Sequence, residues 1–183
     1  APTSRIDRLD FSNDTATAVT KGPLTSARKY LAATGSSSFG YFVGGQQPSE
    51  YSYIDRVDYS NDTPTSSPKG SLSRQDSRLS GASPLANALP APQGIVPATV
   101  TEPWTVPVGN DFGYFTAGGA PSPYYSTVDR IDFNNDTAVA ATKSPTLVAT
   151  RGAASVNSTT FGYSIAGGTE DAPTGYKTST VSR

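Results

Sequence analysis

Ile54-Asp55-Arg56-Val57-Asp58-Tyr59-Ser60-Asn61-Asp62-Thr63 is the stretch on which the fold turns, because the chain writes it three times. It stands earlier as Ile6-Asp7-Arg8-Leu9-Asp10-Phe11-Ser12-Asn13-Asp14-Thr15 and later as Val128-Asp129-Arg130-Ile131-Asp132-Phe133-Asn134-Asn135-Asp136-Thr137. A second motif accompanies it. Phe39-Gly40-Tyr41-Phe42-Val43-Gly44-Gly45 matches Phe112-Gly113-Tyr114-Phe115-Thr116-Ala117-Gly118-Gly119 and Phe161-Gly162-Tyr163-Ser164-Ile165-Ala166-Gly167-Gly168. Agreement over ten positions in three copies is not accidental, and it makes the chain a repeat array.

The spacing sets the period. Ile6 to Ile54 is 48 residues and Phe112 to Phe161 is 49, whereas Ile54 to Val128 is 74. The surplus is a Pro-, Ala- and Gly-rich insertion, an arm over 80–107. Its prolines, Pro84, Pro90, Pro92, Pro97, Pro103 and Pro107, favour an extended path. Between them sit Leu85, Leu89, Ile95, Val96, Val100 and Trp104, apolar anchors that suit a segment laid across a neighbouring subunit. The reading is one repeat-built domain over 1–183, with units at about 1–38, 39–111, 112–160 and a partial unit at 161–183.

Each unit reads as four short strands. One is the aromatic–glycine run, and one is the Ile/Val-Asp-Arg run, roughly Tyr53 to Tyr59 or Thr127 to Phe133. Ser60-Asn61-Asp62 and its equivalents end the latter with residues that favour tight turns. A third strand is expected at 15–19 and 137–141, and a fourth at 29–34 and about 146–150. Thr25 to Ala33 also admits two helical turns, but its β-branched counterpart at 146–150 argues for strand.

Composition removes whole classes of function. The 183 residues include no Cys and no His, so a disulfide framework, a catalytic thiol and a His-based triad are excluded. There are 24 Ser and 23 Thr, with ten Tyr and seven Phe, a profile that fits an all-β protein with a hydroxyl-rich surface. Net charge is -1, which gives no ground for nucleic-acid binding. No run approaches the length of a membrane span.

Four strands in about 48 residues, with a diglycine after an aromatic strand, resembles a kelch-like β-propeller blade. More specifically, the repeats are similar to those of virion structural proteins of tailed bacteriophages, the cyanophage type in particular. That resemblance implies an all-β fold of three propeller blades whose incomplete ring is completed by oligomerisation. A three-sheet, β-prism-like domain and a small β-domain bound into a larger assembly are the alternatives. The chain starts and stops near one point of the repeat, as expected where two termini share a blade. The resemblance also implies a virion component (capsid decoration, knob, nozzle or fibre-associated protein) whose partners are copies of itself and other virion proteins. A host-surface or glycan-binding module and a fragment of a secreted adhesin are the alternatives.

The charged motif is read as structural. Along a strand Arg8 and Asp10 face one way and Asp7 the other, as do Arg56 and Asp58 against Asp55, and Arg130 and Asp132 against Asp129. Carboxylates around an Arg resemble a hydrolase site, but a feature present in every unit argues for charges satisfied across neighbouring sheets. Asp58 to Asp62 and Asp132 to Asp136 lack the spacing of a calcium loop, and Asx-turn capping by Asn61 and Asn135 accounts for them. The diglycines Gly44-Gly45, Gly118-Gly119 and Gly167-Gly168 are read as turns, since no Gly-Lys-Ser/Thr follows. Tyr51, Tyr53, Tyr124 and Tyr125 are candidates for a glycan or partner surface. Lys69, Arg74 and Arg78, offset by Asp76, are too weak a patch for nucleic acid. No enzyme activity, cofactor or metal is expected.

Overall fold

The computed structural model describes residues 1–13, 15–83, 111–116, 118–119, 123–157, 161–168 and 177–182, the last segment and Ala166 by backbone alone. The protein is all-β. Four antiparallel sheets follow one another along the chain. Sheet I pairs β1 (Ile6–Arg8) with β2 (Val19–Lys21). Sheet II is a meander of β3 (Ala32–Gly35), β4 (Phe39–Val43), β5 (Tyr51–Asp58) and β6 (Ser67–Asp76). Sheet III repeats it with β7 (Ser80–Ala82), β8 (Phe112–Thr116), β9 (Val128–Asp132) and β10 (Ala141–Lys143). Sheet IV holds β11 (Ala154–Asn157), β12 (Gly162–Gly168) and β13 (Lys177–Ser182).

The expected strands move in detail. No helix forms among the described residues, so Thr25 to Ala33 is not helical. The strands expected at 15–19 and 137–141 begin later, at Val19 and Ala141, because the Asn-Asp-Thr turn consumes the intervening residues. The one expected at 146–150 lies instead at Ala154–Asn157. Ladder hydrogen bonds group Ala32–Gly35 with the strand that follows it, and Ser80–Ala82 and Ala154–Asn157 likewise. Sheet boundaries therefore fall one strand before residues 39, 112 and 161. The arm expected over 80–107 loses its first residues to β7, since Ser80–Ala82 pair with β8 in sheet III, and its apolar residues Leu85, Leu89, Ile95, Val96, Val100 and Trp104 are outside the described residues.

The period-2 alternation of the strands sends one face of each into the space between sheets. Tyr41, Val43, Ile54 and Leu72 of sheet II meet Phe115, Ile131 and Ala140 of sheet III in one core, with Phe133 packed against it. Tyr41 and Phe115 are fully buried, and each such side chain contributes about 2 kcal/mol of hydrophobic stabilisation. The Tyr41 ring stacks on Phe133 at 4.7 Å. Glycine in the Phe-Gly-Tyr motif makes room for the aromatic of the neighbouring strand: a Cβ on Gly40 would meet the Tyr59 ring at 3.1 Å, and one on Gly113 the Phe133 ring at 2.9 Å.

The first strands of successive sheets adjoin, β3 with β7 and β7 with β11. Each is entered through a linker that turns on one left-handed residue: Tyr30 (φ 61°), Arg78 (φ 57°) and Gly152 (φ 64°). Backbone bonds join the three positions, Arg78 N–H to the Tyr30 carbonyl at 2.8 Å and Gly152 N–H to the Arg78 carbonyl at 2.9 Å. Gly152 adopts this conformation freely, while Tyr30 and Arg78 each cost about 1–2 kcal/mol there.

Candidate functional site

The repeated charges sit at the junctions between sheets. At junction I/II, Arg8 of β1 and Lys21 of β2 both reach Asp62, in the turn after β5, at 2.7 and 3.1 Å. At junction II/III, Arg56 of β5 and Lys69 of β6 reach Asp136 at 2.7 and 3.5 Å, and the Tyr41 hydroxyl donates to the same carboxylate at 3.0 Å. Each Arg is thus answered by the Asn-Asp-Thr aspartate of the next sheet. Burial alone would raise the Asp62 carboxyl, but Lys21 and Arg8 outweigh it and hold it below the usual range. Burial raises the Tyr41 hydroxyl, and the adjacent Asp136 carboxylate raises it further.

The first aspartate of the motif faces back to the preceding sheet. Asp55 accepts the Thr25 N–H (3.1 Å) and hydroxyl (2.8 Å) and pairs with the buried Arg28 at 2.9 Å. Asp129 accepts the Ser73 N–H and hydroxyl at 2.9 and 2.8 Å. Asp7, in sheet I, instead takes Arg5 at 2.6 Å and Thr20 at 3.1 Å. Asp10, Asp58 and Asp132 form no ion pair with their strand's Arg. They cap the turn: Asp10 accepts from Ser12 N–H and hydroxyl, Asp58 from Ser60 in the same way, and Asp132 from Asn134 N–H. Hydrogen bonds from Ser12 and Ser60 hold the Asp10 and Asp58 carboxyls below their ordinary value. The Asx turn is therefore made by these aspartates, whereas the side chains of Asn61 and Asn135 accept from the Thr63 and Thr137 hydroxyls.

Glycine completes the junction. Gly22 N–H donates to the Asp62 carbonyl at 2.9 Å and Gly70 N–H to the Asp136 carbonyl at 2.7 Å. A Cβ on Gly22 would lie 1.8 Å from the Pro64 carbonyl oxygen, and one on Gly70 1.8 Å from that of Ala138. No aspect of the charged motif opened this reading; the shared spacing Lys-Gly-x-Leu-Thr/Ser (Lys21 to Thr25, Lys69 to Ser73) was its available signal.

Gly44-Gly45 and Gly118-Gly119 follow their strands, whereas Gly167-Gly168, expected as a turn, lies within β12 and pairs with Thr178 and Lys177 of β13; all three pairs bind the linkers. Gly45 N–H donates to the Asp76 carbonyl and Gly118 N–H to that of Thr150, while Gly168 exchanges bonds with Arg151. Gly44, Gly45, Gly118, Gly119 and Gly167 all have positive φ. A Cβ on Gly118 would strike the Asp76 carboxylate at 2.3 Å. Asp76 is buried against Arg74 at 2.5 Å, and burial pushes its carboxyl up to about 6 against that cation's pull.

The four tyrosines do not form one platform. Tyr51 and Tyr53 stack on each other at 4.6 Å, with Tyr53 half-exposed. Tyr125 lies beneath Arg74 at 3.6 Å, and Tyr124 beneath Arg151 at 4.7 Å. Among the described residues no group of three or more carboxylates is disposed to hold a metal ion.

What these elements define is an all-β series of antiparallel sheets, the first three of which are locked to one another by repeated charges and glycines. Among solved structures, that of YjhT matches with a TM-score of 0.67 over 97% of this chain, at 11% identity, a likeness of fold alone. The chain spans 48% of YjhT's length. No protein-family model and no curated protein matches it.

Proposed function

We propose that the sheets are kelch-like propeller blades and that the chain is a structural component of a bacteriophage virion that works by subunit assembly. The observation that carries the reading is the junction itself, which joins one sheet to the next by backbone-close contact and paired charges. Sheet I exposes Leu9, Val19 and Phe11, the last 92% accessible. Sheets III and IV expose Val139, Leu147, Val156 and Phe161. Arg130 and Lys143, the counterparts of Arg56 and Lys69, meet no carboxylate among the described residues; Arg130 rests on the Phe112 ring at 4.0 Å. Sheet faces and edges of this kind are covered by partners in stable assemblies, and copies of the same chain bring acidic turns to the side where those cations lie. Side-by-side meanders with adjoining first strands favour blades over a three-sheet prism.

Sedimentation and native mass measurement test this. A discrete oligomer of the 19.0 kDa chain, weakened by Leu147→Asp, is expected; a monomer at all concentrations overturns the assembly reading. A host-surface glycan module is the second reading, favoured by the half-exposed Tyr51–Tyr53 stack. It predicts saturable binding on a glycan array that Tyr53→Ala removes.

A further inference from the structure

Three linkers joined by backbone hydrogen bonds enter the first strands of sheets II, III and IV, and each carries a cation, one Lys and two Arg. Lys29 precedes Tyr30, Arg78 is itself the left-handed residue, and Arg151 precedes Gly152. The Arg78 guanidinium lies 4.4 Å from the centre of the Tyr30 ring, and the Lys29 ammonium 5.1 Å from the same ring. Arg151 covers Tyr124 at 4.7 Å. Tyr30 is 46% exposed and Lys29 is exposed beside it, while Arg78 and Arg151 are half-buried.

Two facts separate this cluster from ordinary surface charge. First, Lys29, Arg78 and Arg151 form no ion pair among the described residues, a state that Arg130 and Lys143 share, but among the described residues Tyr30 alone has two cations over one ring. The nearby acids are engaged elsewhere: Glu50 accepts from the Ser77 hydroxyl at 2.8 Å and Asp76 holds Arg74. Second, the backbone needs no side chain at these positions. Gly152 makes the same turn with the same φ, and bulky residues resist that conformation, so strained Tyr30 and Arg78 mark a site selected for what the side chains do.

We infer that this end of the sheet stack binds an oxyanion group (carboxylate, sulfate or phosphate) of a ligand, with Arg78, Lys29 and Arg151 as its donors and Tyr30 as an aromatic floor. Guanidinium and ammonium groups without carboxylate partners are the donors such oxygens take, and the ring beneath orients them. The inference stands independently of the assembly reading.

The molecule supplies its own control. Arg78→Gly and Tyr30→Gly install the residue that position 152 already uses, so the fold is retained and its melting temperature unchanged or raised. Isothermal titration of the whole chain with inorganic sulfate, inorganic phosphate, chondroitin sulfate and uncharged dextran reads the site. Saturable binding of an anionic probe at up to millimolar concentration is expected, weakened about tenfold in Arg78→Gly and also in Lys29→Gln and Arg151→Gln. Arg130→Gln and dextran serve as negative controls. Response to the inorganic ions assigns a free anion, and response to the sulfated polymer alone assigns an anionic glycan. No saturable binding by any anionic probe, equal binding by Arg78→Gly, or equal loss in Arg130→Gln overturns the inference.

Discussion

Junctions I/II and II/III are built alike, and junction III/IV is not. At the first two a Lys-Gly-x-Leu-Thr/Ser segment presses its glycine on the next turn and sends its hydroxyl to the next strand's aspartate. In sheet III the same positions read Lys143-Ser144-Pro145-Thr146-Leu147, so glycine, leucine and hydroxyl are all replaced. The partner position changes with them. Ser182 pairs with Ser164 in the register at which Asp55 pairs with Phe42 and Asp129 with Phe115. What joins sheets III and IV instead is a hydroxyl relay near the first strands, Ser155 to Ser80 at 2.6 Å, Ser80 to Thr116 at 2.9 Å and Thr116 to Ser164 at 3.2 Å. A donor and its acceptor disappear together, which shows that the lock is one unit of specification.

The contrast breaks most sharply at Gly70. Gly70→Ala puts a methyl into the Ala138 carbonyl and is expected to cost about 4 kcal/mol in urea denaturation, the range of severe backbone conflict. Ser144→Gly, at the equivalent position of sheet III, is expected to stay within about 0.5 kcal/mol of the parent; an equal effect at both sites would erase the distinction between junctions. Next comes Asp136→Ala, which strips Arg56, Lys69 and Tyr41 of one shared acceptor and should cost about 3 kcal/mol, read from the same denaturation curves.

A pH measurement sharpens the comparison at Asp76, the aspartate beside junction II/III. Its folded carboxyl titrates near 6, above the value near 3.9 of an unfolded Asp. The folded state therefore binds the proton more tightly, so its contribution to stability is complete below about pH 4 and is lost as pH rises through about 6. A decline on the order of 2 kcal/mol across that window is expected, and Asp76→Asn should flatten it; an unchanged slope in that variant would assign the titration to another group. Smallest is Leu147→Thr, expected to shift stability by less than about 0.5 kcal/mol.

The repeat and the all-β class were legible because residue identity recurs at fixed spacing. Strand bounds were less so, since Thr15 to Ala18 has strand-like composition yet is drawn into a turn whose aspartate, Asp10, lies five residues upstream of Thr15. The partner of Arg56 was hidden for a different reason. Strand alternation identifies the face of a side chain but not the sheet beyond it, and Asp136 is eighty residues away. Only the doubled Lys-Gly spacing, read beside the threefold Asn-Asp-Thr, carried that information. Tyr30 and Arg78 left no sign, because nothing in their identity announces a left-handed backbone; alignment with Gly152 was the one clue.

The locks also have a direction. Every donor segment lies earlier in the chain than the aspartate it serves, so a growing polypeptide finishes each receiving surface before the element that must settle on it has been made. Sheets of this design can be added in the order of synthesis, each new turn closing onto a surface already in place, and hydrogen exchange during refolding should show protection spreading from sheet II toward the C-terminus.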